Sequence, residues 1–420
     1  MYRVTRLENG VTVATAEMPH SPSVSLGIWV GVGGRYEPET LSGVSHFIEH
    51  LLFKGTKRRS AREISQAVEG IGGYLNAFTS EEHTCFYAKA RHDQFGRLLD
   101  VLTDMFLHST FDPAEIDKER EVIKEELAMY MDHPQQYVQE LLNETMWPDQ
   151  PLGRSITGTE KTLDGLRREE LTNYQKQNYV APAVLLAAGG RITHRQAVAA
   201  AAKYARKFPR GARPRFTPAL STQIKPALRL LRKKTEQTQI TLGIRACSRH
   251  DERRYALRLL NAILGENMSS RLFQTLREEH GLAYSIYSAN SFFDDAGDIV
   301  IAAGLDADNA EKALKLILRE MKRLAAQLAP GAELRRARDY LLGQLDLSLE
   351  NSENQMMWAG EQWLAYGKIG HPDEFKKRLS AVTAGQVRAV ARDFFRPERF
   401  NLALISPLKS AAGLEKLLAN

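Results

Sequence analysis

Two histidines and a glutamate, His46, Glu49 and His50, stand close together in the stretch SGVSHFIEHLLFKGT at residues 42–56. Imidazole nitrogens coordinate transition metals, and a carboxylate beside them can move a proton, so the group has the makings of a metal-assisted hydrolytic site. His46 and His50 are four residues apart. On an α-helix that spacing puts both rings on one face about one turn apart, where two nitrogens can meet a single tetrahedral ion. Glu49 adjoins them and could take the proton of a metal-bound water whose pKa the ion has lowered. The order HxxEH reverses the commoner HExxH arrangement of zinc peptidases and is a motif class of its own. A hydrogen-bonded core cluster is the other use to which these three groups could be put.

A zinc site needs a third protein ligand, and the segment FDPAEIDKEREVIKEELAMYMDHP, beginning at Phe111, offers carboxylates for it. Glu119 and Glu126 are seven apart, two turns along one helical face, so that if one ligates the metal the other can sit behind it and orient the site. Glu125 adjoins Glu126 but points about 100° away. A charged surface helix laced with i, i+4 pairs is the competing reading of EREVIKEE.

The elements that must carry these groups are well signalled. Val44, Phe47, Ile48, Leu51 and Leu52 recur at i, i+3, i+4, i+7 and i+8, the apolar stripe of a helix facing a core, with Ser42 expected to cap its start and Gly55 to close its end. In the second segment Asp112, Pro113 and Glu115 read as N-cap, first-turn proline and capping-box glutamate. Ile116, Ile123, Leu127 and Tyr130 mark its buried side.

Across 420 residues, 43% hydrophobic and 26% charged composition is that of a globular chain with room for two or three domains. The net charge of +6 comes without any block of five like charges, which gives no footprint for nucleic acid. Cys85 and Cys247 are the two cysteines, too few for a disulfide framework, so a reducing compartment is expected. MYRVTRLENGVTVATAEMPH has no apolar signal region; it reads as strand, Asn9-Gly10 turn and strand, so translation is expected to start at the fold. No run approaches the eighteen or so apolar residues needed to span a bilayer, and the expectation is a soluble, cytoplasmic protein with no membrane partner.

Residues 206–226, RKFPRGARPRFTPALSTQIKP, are rich in Pro and Arg without periodicity and read as an exposed linker that divides the chain almost evenly. The expected division is 1–208, a linker at 209–226, and 227–420. VSLGIWV before the histidine helix has a counterpart in ITLGIRA before YALRLLNAILG, as in one design used twice. Matching the two helices puts Arg258, Asn261 and Ala262 where the first has His46, Glu49 and His50. The fold class expected is α+β, two homologous domains, each a mainly antiparallel sheet with helices packed on one face.

With HFIEH at 46–50, ERxVIxEE at 119–126 and a separation of 76 positions from His50 to Glu126, the chain resembles the inverted-zincin metallopeptidases of family M16. That group includes pitrilysin, insulin-degrading enzyme and mitochondrial processing peptidase, and the resemblance is to its short two-domain form. GGYLNAFTSEEHTCFY, QPLGRSITGT and LREEHGLAYSIYS follow in the family's order. The resemblance implies one zinc ion per chain held by His46, His50 and Glu126, with Glu49 as general base and Glu119 behind the ligands. It implies that Asn76, Ala77 and Phe78 add an extended substrate to a sheet edge, and that Arg277 and Tyr284 donate to the oxyanion. It also implies an endopeptidase for unfolded peptides or presequence-like segments in a clam-shell chamber. Two chains would pair, as a homodimer or a heterodimer, with Arg277 and Tyr284 serving the partner's zinc. The alternatives are a processing peptidase dedicated to one precursor and a non-catalytic structural subunit.

Overall fold

Strands in the computed structural model, which describes residues 2–419, alternate with helices in two similar series. The first comprises β1 (Tyr2–Arg6), β2 (Thr12–Glu17), β3 (Ser23–Val30), β4 (Tyr74–Thr79), β5 (Thr84–Arg91) and β6 (Val184–Gly190). The second comprises β7 (Ala227–Arg232), β8 (Thr238–Ala246), β9 (Ala283–Phe292), β10 (Gly297–Leu305) and β11 (Phe400–Ser406). Among the described residues the strands form two sheets, ordered β1-β2-β6-β3-β5-β4 and β7-β11-β8-β10-β9. In the first only β2 and β6 run parallel, and in the second only β7 and β11. Apart from β1 the two orders superimpose strand for strand, so the α+β design and its repetition are both present.

The compact units are interleaved along the chain. One takes the chain up to Ala128, Arg154–Thr217 and Asp346–His371; the other takes Met129–Gly153, Pro218–Leu345 and the chain from Pro372. Contiguous halves were the expectation; instead each unit borrows a helix from the other half of the sequence. The first unit's sheet carries helices Val44–Leu52 and Phe95–His108 on one face and Ser352–Tyr366 on the other. Met356 and Ala359 of this last helix pack with Trp29, Leu185 and Ala187, and a Cβ on Gly360 would lie 2.3 Å from the Trp29 ring, so only glycine admits the close approach. The second unit does the same with Pro134–Met146, whose Val138, Leu141 and Leu142 pack on Ala403 and Ile405 of β11. Helices on a single face therefore describe each half's own helices, and the borrowed helix covers the face that remains. This explains why β3 and β6 are buried without alternation: both faces of a central strand are covered.

The residues read as a linker form no helix or strand between Ala205 and Ala227, as expected, but they are stapled to the units rather than free. Phe216 lies under the buried guanidinium of Arg35 at 3.9 Å, and Leu220 receives Gln150 and Arg245 on its carbonyl. Among the described residues no helix is long and apolar enough to cross a membrane.

Candidate metal centre

Helix Val44–Leu52 buries its apolar stripe completely: Val44, Phe47, Ile48, Leu51 and Leu52 are at most 1% exposed. Its N-terminus is built differently from the sequence expectation. Ser42 does not cap it; the N-cap is Gly43 at φ +93°, where a Cβ would lie 2.7 Å from the Thr157 carbonyl oxygen. The free N–H groups of Gly43 and Ser45 instead donate to the carboxylate of Glu37, at 2.7 and 2.8 Å. A glutamate six residues upstream does the work of a cap because the tight chain entry leaves no room for a capping side chain. Burial pushes the Glu37 carboxyl up to about 7, against the opposing pull of those N–H donors and of Arg154. Gly55 is likewise not the closing residue. Phe53 is the C-cap, and Gly55 turns the chain at φ +126° two residues later.

The carboxylate helix, Pro113–Asp132, starts as its sequence indicates, with the Asp112 side chain accepting from the Ala114 and Glu115 N–H groups. Glu115 pairs with Lys118 at 2.6 Å rather than closing a capping box. Ile116, Ile123 and Leu127 are buried, whereas Tyr130 is only half-buried. Glu119 and Glu126 share the face turned toward the histidines, and Glu125 is exposed on another.

Side-chain atoms of His46, His50 and Glu126 all lie within 4.8 Å of one another, the one such trio of potential ligands among the described residues. Glu126 Oε2 is 3.6 Å from His50 Nε2 and 3.9 Å from His46 Nε2, too far for hydrogen bonds. Ligands at zinc bond lengths of about 2.0–2.1 Å in a tetrahedron stand about 3.4 Å apart, so a cation fits between these atoms with small adjustments. His46 Nδ1 is buried without a hydrogen-bond partner, and burial, then the neighbouring His50, lowers the His46 pKa to about 3. Two imidazoles facing a carboxylate across a gap are a donor set that suits zinc. Behind it Glu119, 5% exposed, accepts from His50 Nδ1 at 3.1 Å, which leaves the lone pair of His50 Nε2 directed at the gap.

Glu49 belongs to the same helix but not to the trio. Its carboxylate accepts from the Thr79 hydroxyl at 2.5 Å, and burial raises its pKa while the Thr79 hydrogen bond and His50 lower it. Thr79 ends β4, which among the described residues pairs only with β5 and so leaves one side of its backbone open; Asn76, Ala77 and Phe78 lie on this edge, and Asn76 Oδ1 accepts from the Ala77 N–H at 2.8 Å. Arg277 and Tyr284 lie in the second unit, on the π-helical turn Phe273–Glu279 and at the start of β9. The Arg277 guanidinium stands 5.1 Å from the centre of the exposed Tyr284 ring, and both line a cavity of about 340 Å³. At the matching helix of that unit, Arg258 donates to Asn290 and Asn261 to Glu266, a polar network with no metal-binding trio.

Three contributors escaped the sequence reading: Glu37, Thr79 and Lys54, whose ammonium meets Glu119 Oε1 at 2.7 Å. Lys54 alone had a local signal, being four residues beyond His50 on the line of the helix.

The model described as Insulinase (Peptidase family M16) matches residues 12–160, and that described as Peptidase M16 inactive domain matches residues 165–341. An uncharacterized zinc protease of Bacillus subtilis, YmxG, is 38% identical over 400 residues, covering 95% of this chain and 97% of its own. An uncharacterized zinc protease of Rickettsia bellii is 33% identical over 94% of this chain and 95% of its own. The crystal structure of a protease from Helicobacter pylori shares the fold, with a TM-score of 0.91 at 19% identity over 97% of this chain and 99% of that one. So does a structure titled peptidase M16 inactive domain from Pseudomonas fluorescens, with a TM-score of 0.90 at 19% identity over the same shares. With adjoining models spanning most of its length and relatives matched from end to end, the chain belongs to peptidase family M16.

Proposed function

We propose that this chain is a zinc-dependent endopeptidase of unfolded peptides, with His46, His50 and Glu126 as zinc ligands and Glu49 as the proton-transferring group. The convergence of His46, His50 and Glu126, with Glu49 held apart from them by Thr79, is the observation that carries this reading. Relatives named zinc proteases support it. Zinc, when bound, supplies a Lewis acid that makes water reactive at neutral pH. Glu119 holds His50 in the tautomer whose Nε2 can ligate. Glu49 takes the proton of the attacking water and returns it to the leaving amine; its raised pKa brings the carboxyl nearer the working pH, where proton transfer in both directions is efficient. The open edge of β4 at Asn76, Ala77 and Phe78 pairs with an extended peptide through main-chain hydrogen bonds, which favours unfolded segments over any one sequence. Arg277 and Tyr284 donate to the oxyanion, contributed by the second chain of a homodimer.

The test is cleavage of an unstructured peptide mixture read by mass spectrometry. Zinc-loaded protein is expected to cut. Chelation should abolish cutting, and Glu49→Gln should lower the rate by about 10²–10⁴-fold while zinc content stays at one per chain. A zinc-loaded native protein that leaves every peptide intact would refute the general-peptidase reading and direct attention to a single dedicated precursor.

A further inference from the structure

Glu119 divides its two oxygens between two partners. Oε2 accepts from His50 Nδ1 at 3.1 Å, and Oε1 meets Lys54 Nζ at 2.7 Å. The carboxylate is 5% exposed and so gives up most of its hydration, a loss its partners must replace. Glu126 stands on the same helix, and Glu49 on the helix that carries His50. A carboxylate in this position held on one oxygen alone would be free to rotate away from His50 Nδ1 and turn an oxygen toward the cation, into the position a catalytic site keeps for water.

Lys54 prevents that rotation, because contacts on both oxygens fix the plane of the carboxylate. The lysine is itself held in place by its backbone. Its N–H donates to the Leu51 carbonyl at 3.1 Å in the last turn of the histidine helix, and Gly55 beyond it receives the Thr110 N–H at 3.2 Å. The chain can therefore present Lys54 to Glu119 without ordering a mobile loop.

Resting on the zinc reading above, we infer that Lys54 is a positioning residue of the metal centre: it locks Glu119 as the acceptor for His50 and keeps it from becoming a ligand. Zinc affinity, measured by competition with a chromophoric chelator, should fall about 10–100-fold in Lys54→Met, the range for removing a group that orients a metal ligand. Lys54→Arg, which retains the cation, should recover most of that loss. In the cobalt-substituted Lys54→Met protein the visible bands of tetrahedral cobalt should shift, as an oxygen of Glu119 replaces solvent on the metal. In a Glu119→Gln background, adding Lys54→Met should cost no further affinity, a comparison that holds even if one single variant folds poorly. Wild-type affinity and cobalt spectrum in Lys54→Met, or losses that simply add in the double variant, would overturn the inference. Failure of the unsubstituted protein to bind zinc would instead strike the reading of the site itself.

Discussion

The Thr79 hydroxyl and the Glu49 carboxylate meet at 2.5 Å, which ties the proposed proton carrier to the last residue of the open strand. That hydrogen bond stabilises the ionised form and opposes the upward push of burial on the Glu49 pKa. In Thr79→Val the opposing effect is gone, so the folded pKa of Glu49 rises further. A base must be deprotonated to act, and the acid limb of the kcat/KM profile should therefore move to higher pH, with zinc content unchanged. Rate measurements across the acid range on both proteins check this; an unmoved limb would separate Thr79 from the base. His46, Glu49 and His50 were legible in the sequence because four-residue spacing on a helix is a local property. Thr79 was not: it is one hydroxyl among many until the fold brings it across 30 residues to Glu49.

At the scale of elements, the histidine helix depends on Glu37 for its first turn. Glu37→Ala strands two buried N–H groups, and the expected loss is about 1–2 kcal/mol in denaturant unfolding, larger than that for Ser42→Ala, which removes no cap. The same residue gives stability a pH dependence of defined sign. Its folded pKa is about 7 against an ordinary 4.5, so between those values the folded chain keeps a proton that the unfolded chain has released. Its contribution is therefore a decline in stability as pH rises from about 4.5 to about 7. Glu37→Gln should remove that part of the slope, as melting temperatures of the two proteins across this range would show. The helix itself was readable from its apolar stripe, but its cap was not. Ser42 has the right chemistry one residue before Gly43, and only the approach of Thr157 to that glycine shows why the cap comes from elsewhere.

For the whole molecule, the proposed homodimer makes a prediction that subunit mixing can test. If Arg277 and Tyr284 act on the partner's centre, Glu49→Gln and Arg277→Ala chains are each inactive alone but complement each other. In an even mixture about half the dimers pair the two variants and one site of each such dimer is intact, so activity should return to about a quarter of that of the unsubstituted enzyme. No recovery after verified subunit exchange would place the two residues in the service of their own chain. The exchange of helices between the halves belongs to this scale too. Pro134–Met146 and Ser352–Tyr366 each carry an apolar face, and nothing in their sequences says which sheet will receive it.

What the sequence determined by itself was whatever depends on neighbours along the chain: the helix that aligns His46 with His50, the two-turn spacing of Glu119 and Glu126, the strands, and the repetition of one design. Periodicity is written into adjacent residues and survives without knowledge of the rest. Tertiary structure alone decided which groups complete the centre and which helix covers which sheet. Glu119 reaches His50 across 69 residues, and the helix bearing Met356 reaches Trp29 across 327. Contacts of that kind are selected by the packing of apolar faces and by the need of buried polar groups for partners, conditions that exist only once the chain has closed on itself.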